Sequence, residues 1–547
     1  MKILTGKDIR EADLYTIEHE PVAGIELMER AALALEAEIA AAAETTEGQK
    51  TAAEAPEYLI IAGKGNNGGD GLAVARLLRG RFGDTRSISV ILLAAPDQLS
   101  PDCRLNMNRL PAGISLFGFA DGRITADGSE LPPEQLFRGN TVVIDAILGT
   151  GVTGAVREAA LQAIRLVNEH SRRCRMVISI DMPSGLPTEP RNREEAAGAD
   201  VIAADLTLTI EFPKLSLLLP ETGRYAGRLR TVHIGLDRRF MDSRESAYAA
   251  VDTAYVPTLL QPRGEFDHKG THGHALVIAG SAEYLGAAIL CTGAALRSGC
   301  GLVSAHIPAA GRTAMLISHP AAIISADESP VFSSHPADLG KYSAVAVGPG
   351  IGRSEAAAAA LEKLLACLPQ HPGIRTTVLD ADALNIISER PEMLAMIPEG
   401  SVLTPHLGEL ARLLRAAASS GVLNGQGNAS AAMSDELPWS DDMQRIQMVR
   451  RLCLRLKSVI VVKGAHTMVC SPDGRCFFNM SGNPGMAKGG SGDVLTGLVA
   501  GLAARSYDSL SAAILGVWFH GLAGDAAAAL RGMEAMNAED ILENIRI

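Results

Sequence analysis

The chain has 547 residues, 47% of them hydrophobic and 20% charged, enough for roughly three or four ordinary domains or two large ones. That composition excludes a chain-wide disordered or fibrous protein. With 50 basic against 62 acidic residues the net charge is −12, which argues against nucleic-acid binding through a basic surface. It leaves open the binding of phosphate-bearing small molecules by backbone amides and helix N-termini.

In chain order, residues 24–43 are Ala-rich and predict a helix, and 44–56 read as a polar surface insertion. Short apolar runs at 58–62, 87–95, 141–148, 176–181 and 206–210 predict buried strands, with helical stretches such as 71–78 and 157–169 between them. The alternation argues for a parallel sheet with right-handed crossovers. Periodicity weakens over 237–264. We therefore divide the chain into residues 1–236, a linker at 237–262 and residues 263–547. A second α/β series follows, with strands at 274–279, 302–307, 344–347, 377–379, 402–404 and 459–462. A hairpin is expected where 468–473 and 475–480 flank a Pro-Asp-Gly turn. The Ala-, Ser-, Gly- and Asn-rich stretch 415–442 predicts a mobile loop.

Eight cysteines occur with no C-x-x-C pair and no zinc-like spacing. No secretory signal is visible at the start. The uncharged run 509–524 is too short to span a bilayer and carries His520. The expectation is a soluble, reduced, cytoplasmic protein without membrane or nucleic-acid partners.

Three loops of this half stand out for their chemistry. Gly63-Lys64-Gly65-Asn66-Asn67-Gly68-Gly69-Asp70-Gly71 lies between a predicted strand and helix. Its amides can approach a phosphate, and its two amide side chains and carboxylate exceed what a tight turn needs. Asp145-Ala146-Ile147-Leu148-Gly149-Thr150-Gly151 and Asp181-Met182-Pro183-Ser184-Gly185 also end predicted strands. Parallel sheets bring such ends to one crevice, and an oxygen-rich site there suits an alkali or alkaline-earth cation better than zinc. Each Asp alone could equally cap a helix or turn.

Together with Phe212-Pro213-Lys214-Leu215 and Gly223-Arg224, these loops resemble the NAD(P)H-hydrate epimerase family. The resemblance implies a Rossmann-like α/β domain that interconverts the R and S forms of hydrated NADH and NADPH around a bound potassium ion. It assigns substrate binding to Asn66, Asn67, Gly68, Gly69 and Asp70, and to Gly149, Thr150, Gly151, Val152, Thr153, Gly154 and Ala155. Potassium would be held by Asn67, Asp145 and Ser184, and Asp181 would act at the reacting carbon. Epimerising a carbinolamine carbon requires the hydroxyl to leave and return or the ring to open, and either route moves protons.

Near the other end, Asn483-Pro484-Gly485-Met486-Ala487-Lys488-Gly489-Gly490-Ser491-Gly492-Asp493 precedes a helical stretch. Glycine-rich amides at a helix start form an anion hole, and the carboxylate can deprotonate a hydroxyl; alone, Asp493 could simply favour the helix dipole. No G-x-x-x-x-G-K-[ST] occurs. Gly348-Pro349-Gly350-Ile351-Gly352, Leu379 to Asn385, Thr404 to Glu409 and Lys463 to Thr467 each end a further strand. From 263 to 530 the motifs resemble the ribokinase-like superfamily, most closely its NAD(P)H-hydrate dehydratase branch. That resemblance implies ADP-driven loss of water from the S form, with Asp493 as base. Ala287, Gly350, His406 and Asp493 would hold the substrate, and Lys463, Gly464, Ala465, His466, Thr467 and Gly492 the nucleotide. Mg2+ is expected of phosphoryl transfer generally. Leu407 stands where the family usually has proline, and Lys488 where it usually has a small hydroxyl residue. Beside the anion hole, Lys488 could alter nucleotide choice or affinity. The cluster His268, His272 and His274 is read as loop polarity rather than a metal site.

The leading expectation is a two-domain enzyme that repairs hydrated NADH and NADPH, homo-oligomeric through its Ala-rich N-terminal helix. The alternatives are a small-alcohol kinase joined to a nucleotide-sensing domain, and a non-catalytic scaffold.

Overall fold

The computed structural model describes residues 1–44, 55–152, 154, 156, 158–190, 200–423 and 437–547. It divides into two compact units, residues 2–246 and residues 247–547 together with Met1. The segment expected as a linker is therefore split. Its helix Arg238–Ser243 belongs to the first unit, while its strand β10 (Tyr248–Val251) pairs in parallel with β19 (Cys476–Asn479) of the second.

The first unit is built on nine strands: β1 (Glu57–Ala62), β2 (Ile88–Leu92), β3 (Ser115–Ala120), β4 (Arg123–Ala126), β5 (Ser129–Leu131), β6 (Thr141–Ala146), β7 (Met176–Ile180), β8 (Leu206–Ile210) and β9 (Arg228–Val232). Their order is β5-β4-β3-β2-β1-β6-β7-β8-β9. The β3–β4 and β4–β5 pairs are antiparallel and the others parallel. The expected strands are the buried central ones. The β3–β5 meander escaped because its residues are largely exposed and carry no continuous apolar run. Apolar side chains of β1, β2 and β6 enter cores on both faces of the sheet, as a buried parallel sheet requires. The helix Gly24–Glu44 buries Leu27, Met28, Ala31, Ala32, Leu35 and Ile39. The face offered above for self-association is thus taken up by the unit's own core.

The second unit adds β11 (His274–Ile278), β12 (Leu302–Pro308), β13 (Ile323–Asp327), β14 (Ala344–Val347), β15 (Thr376–Leu379), β16 (Val402–Leu403), β17 (Val459–Val462) and β18 (Met468–Cys470). Its sheet runs β10-β19-β18-β17-β16-β15-β14-β11-β12-β13. The β18–β19 hairpin expected from the Pro-Asp-Gly turn is present and antiparallel. Helix Ser491–Ala504 is buried along most of its length. A Cβ on Gly497 would stand 1.9 Å from the Cys291 carbonyl oxygen, so glycine lets this helix pack backbone to backbone on helix Leu285–Arg297. The uncharged run at 509–524 continues to Arg531 as one helix of 23 residues, long and apolar enough by length and composition to cross a membrane, which corrects the shorter expectation. Of its most apolar window, 67% is buried inside the fold, and burial pushes His520 down to about 4.

The stretch expected as a mobile loop, 415–442, is partly helical: Leu407–Ser419 ends within it and Asp442–Leu456 starts at its close. Residues 424–436 of that loop, and nearly all of the 44–56 insertion, lie outside the described residues.

Candidate functional site

In the first unit, β1 has β2 on one side and β6 on the other. Strand order reverses there, so the loops leaving β1 and β6 diverge and open a crevice at the strands' carboxyl ends. Sterics fix these loops. A Cβ on Gly63 would stand 2.0 Å from the Ile147 carbonyl oxygen, and one on Gly68 1.9 Å from that of Gly63. Helix Asn66–Phe82 starts from Gly65 with no side-chain cap, which leaves its first amides available to an anion.

Asn67 is brought against the β6 loop, its Oδ1 3.1 Å from where a Gly149 Cβ would stand. Its Nδ2 is buried with no hydrogen-bond partner. Asn66 is exposed, and its Oδ1 accepts from Ser100 Oγ at 3.1 Å. Gly68, Gly69 and Asp70 are buried. Burial, followed by Asp181, Asp13 and Asp102, raises the Asp70 carboxyl well above its ordinary range. Thr150, Gly151, Val152 and Gly154 continue the β6 loop in half-buried to exposed positions, while Thr153 and Ala155 lie outside the described residues.

Asp145 is fully buried. Its Oδ2 accepts from Ser179 Oγ at 2.8 Å and Ser184 N at 2.9 Å, and its Oδ1 from Ile147 N at 3.2 Å and from the Ser184 hydroxyl. Asp145 and Ser184 thus meet directly. Burial raises the Asp145 carboxyl and these donors oppose it.

Asp181 adopts φ +65 at the end of β7, a left-handed conformation that is uncommon outside glycine and asparagine. Its Oδ1 accepts from Ile210 N at 3.0 Å and from the ammonium of Lys214. Lys214 has no exposed surface, and its remaining bonds go to Thr209 Oγ1 and Ile210 O, both at 2.9 Å. The sequence quoted Lys214 within a motif but gave it no role, because nothing local says that a lysine 33 residues on will pair with Asp181. Asp13 was also missed. It shares the buried stripe Ile9, Ala12 and Thr16 of helix Gly6–His19 at helical spacing, which was the available signal.

In the second unit, Gly490 at φ +87 leads into helix Ser491–Ala504, again with no side-chain cap, and Asp493 sits in the first turn. Burial pushes the Asp493 carboxyl up to about 7, reinforced by Asp380, Asp382 and Glu409 and opposed by Lys463. The Lys463 ammonium lies 2.7 Å from Asp380 Oδ1 and 3.9 Å from Glu409 Oε2. Burial works against its charge, but these carboxylates outweigh it and raise its pKa. Thr496 Oγ1 donates to the other Asp380 oxygen at 2.6 Å. A Cβ on Gly492 would be 3.3 Å from Lys463 Nζ, so the glycine leaves room for the ammonium at the helix start.

The other expected residues join this centre through short links. Lys463 N donates to Pro405 O at 2.9 Å, which joins the nucleotide loop to the His406 loop. His406 caps helix Leu407–Ser419, its Nδ1 accepting from Gly408 N at 3.0 Å while Glu409 Oε2 accepts from His406 N at 2.9 Å. This box holds the helix start without proline at position 407. Gly350, at φ +65, lies against Ala287, and nearby Gly352 N donates to Asp382 at 2.9 Å. Thr467 Oγ1 closes the 464–467 turn on Gly464 O at 2.9 Å, with Gly464 and Ala465 exposed. His466 is half-buried and is held through one ring nitrogen. Its Nδ1 is 3.1 Å from Asn479 O, and burial lowers its pKa.

Lys488 is anchored within the fold. Its ammonium donates to Glu534 O at 2.5 Å and Met536 O at 2.6 Å, away from the anion hole, and so ties the loop to the C-terminal segment. Among the described residues, no group of three or more His, Cys, Asp or Glu side chains is placed to hold a metal. His272 instead pairs with Asp267 at 3.2 Å, and His274 bonds Ser304 at 2.9 Å.

The family model described as NAD(P)H-hydrate dehydratase matches residues 275–546, and the one described as YjeF-related protein N-terminus matches residues 24–216. The bifunctional NAD(P)H-hydrate repair enzyme Nnr of Moorella thermoacetica is 33% identical over 500 residues, covering 89% of this chain and 86% of that protein. The chain belongs to the bifunctional NAD(P)H-hydrate repair enzyme family. Its relative in Escherichia coli strain K12 carries the same name, at 31% identity over 90% of this chain and 85% of its own. Among solved structures, an ADP/ATP-dependent NAD(P)H-hydrate dehydratase from Bacillus subtilis, co-crystallised with ATP and Mg2+, aligns at 26% identity and TM-score 0.44, covering 54% of this chain and 96% of its own. In this member of the repair family, the helix bearing Asp13 precedes the first matched span and β10 precedes the second.

Proposed function

We propose that this chain restores hydrated NADH and NADPH: the first unit epimerises the R and S hydrates, and the second dehydrates the S form using ADP. One recurring observation carries the reading beyond family membership. Each unit sets an aspartate with an adjoining lysine–carboxylate pair beside an uncapped, glycine-led helix start, Asp181 with Lys214 in one and Asp493 with Lys463 and Asp380 in the other. A carboxylate with an ammonium beside it can take a proton from a bound hydroxyl and return it.

For dehydration, hydroxide is a poor leaving group. Asp493, poised near pH 7, takes the hydroxyl proton as the oxygen accepts a phosphoryl group from the nucleotide. The C–O bond then breaks as the ring nitrogen's electron pair expels the oxygen with the phosphate, and loss of a proton from the neighbouring ring carbon restores the C=C bond of the reduced nicotinamide. Lys463, Gly464, Ala465, His466, Thr467 and Gly492 would hold the nucleotide; Ala287, Gly350 and His406 would place the hydrated ring near Asp493. Mg2+ bound with the phosphates would neutralise their charge. In the first unit, residues 66–70 and the 149–155 loop would bind substrate and Asp181 would move its proton. Asn67, Asp145 and Ser184 would hold potassium. The donor set is all oxygen, as a hard cation requires. The orphan Asn67 Nδ2 supports this, since turning the amide over presents its oxygen at that buried point. The reading places the enzyme in the cytoplasm.

The test is recovery of reduced-nicotinamide absorbance from mixed R and S NADH-hydrate, with ADP, with ATP and with neither. Complete recovery dependent on nucleotide and Mg2+ is expected. Recovery of the S fraction alone would remove the epimerase, and a stable phosphorylated product without recovery would make the second unit a kinase.

A further inference from the structure

Helix Gly6–His19 crosses the carboxyl ends of the strands that bear the first unit's site. At its start, Gly6 N donates to Glu189 Oε1 at 2.6 Å, and a Gly6 Cβ would lie 2.8 Å from Thr188 Oγ1 and 3.6 Å from Thr150 O. It is thus seated on the loops after β6 and β7. Near its end, Thr16 Oγ1 accepts from Asp237 N at 3.0 Å, beyond β9. Between these anchors Asp13 is half-buried on the stripe of Ile9, Ala12 and Thr16, and Asp181, Lys214 and Glu211 are the charged groups that bear on it, as it bears on Asp70. The helix that carries Asp13 is thus held at both ends over the loops that bear Asp181 and Lys214.

Its surroundings differ from those of Asp181. Lys214 and Ile210 N hold one oxygen of Asp181. Among the described residues, Asp13 has neither an ion-pair partner nor a hydrogen bond. Glu211 is occupied by Ile234 N at 2.7 Å and Gly235 N at 3.0 Å. From helix Arg238–Ser243 and its end, Arg239 is paired with Asp237 and Arg244 with Glu11, so neither reaches Asp13 as a counter-ion. Burial, then Asp181 and Glu211, push its carboxyl up to about 7 against Lys214. Two carboxyls with unlike partners at one site divide into an acid and a base.

We propose that Asp13 is the second acid–base group of the epimerisation, complementary to Asp181, an assignment that rests on the epimerase reading above. Asp181 takes the proton of the carbinolamine hydroxyl, and the C–O bond becomes a carbonyl. The C–N bond breaks, its electron pair goes to the ring nitrogen, and Asp13 supplies that nitrogen with a proton. Rotation about the adjacent C–C bond presents the opposite carbonyl face, and the nitrogen attacks it. Asp13 recovers its proton and Asp181 returns one to the oxygen. Nothing is oxidised or reduced, and both carboxyls end as they began.

The test uses the full chain without nucleotide, so that the second unit is idle, and follows conversion of purified R NADH-hydrate to S by chromatography between pH 5.5 and 8.5. Wild type should lose rate as pH rises through about 7, because the donor must begin protonated. Asp13→Asn should be slower by on the order of 100-fold and flat over that range, while Asp13→Glu should recover the falling limb. A wild-type rate without that limb, or a limb retained by Asp13→Asn, would overturn the assignment even if Asp13→Asn folds poorly. No acceleration by wild type over protein-free solution would instead overturn the epimerase reading beneath it.

Discussion

Asp493→Asn should separate stability from activity in the second unit. Moving a carboxyl from its ordinary 3.8 to about 7 means that the fold disfavours its ionised form by about 4 kcal/mol, at about 1.4 kcal/mol for each tenfold change in proton affinity. The folded value lies above the unfolded one. Between about pH 4 and pH 7 the native chain thus holds a proton that the unfolded chain has lost, and stability falls as pH rises through that window. Asparagine cannot ionise, so the variant escapes this penalty. Allowing for the partial exposure of Asp493, the gain at pH 8 should be roughly 2–4 kcal/mol, or about 5–10 °C in the melting of the second unit. The gain should shrink on acidification to pH 5. Dehydration of S NADH-hydrate should fall by on the order of 100-fold or more in the same protein. Calorimetry at pH 5, 6, 7 and 8 beside the absorbance assay reads both effects. A variant that melts with wild type at pH 8, or whose advantage does not shrink at pH 5, would refute the account of burial and like charge at Asp493.

Lys214→Met leaves the Asp181 carboxylate without its ammonium in a closed site; urea unfolding should show the first unit weakened by about 3–5 kcal/mol, and an unchanged midpoint would mean the pair contributes nothing. Gly497→Ala sets a methyl 1.9 Å from the Cys291 carbonyl oxygen, so the two backbones must part; thermal melting should drop by several degrees, consistent with about 1–3 kcal/mol of overpacking. Lys488→Met frees the carbonyls of Glu534 and Met536 and loosens the loop before the anion hole. The KM for nucleotide should rise about threefold to tenfold with kcat nearly constant, consistent with loss of one charged hydrogen-bond anchor; a loss confined to kcat would place Lys488 in the chemistry instead.

The parts legible in the sequence are those with a strong local constraint. Buried parallel strands such as β1, β7 and β17 are unbroken apolar runs, and the loops at Gly63 and Gly490 are glycine-rich because a side chain would collide or the backbone must turn left-handed. Strands β3, β4, β5 and β13, at or near a sheet margin, were invisible because their exposed or half-buried positions relax the pattern. β10 was hidden in a segment whose partner, β19, lies more than 200 residues away. The same distance effect concealed the pairing of Lys214 with Asp181. Their motif could be recognised, but the ion pair between them forms only once β7 and β8 lie side by side. Lys488 shows the same limit: its place beside the anion loop was legible, but the two carbonyls that hold its ammonium lie 46 and 48 residues on.

The position of β10 also bears on how such a protein can be divided. Residues 248–251 supply the outermost strand of the second unit's sheet although they precede the span that its family model matches. A gene cut at residue 263 or 275 would strip that strand and leave β19, with Phe477 and Phe478, as a bare and sticky sheet margin. A cut between 246 and 247 keeps the margin covered. Natural fission or recombination of the two units is under the same restriction, so a viable breakpoint would be found upstream of where the second family match begins.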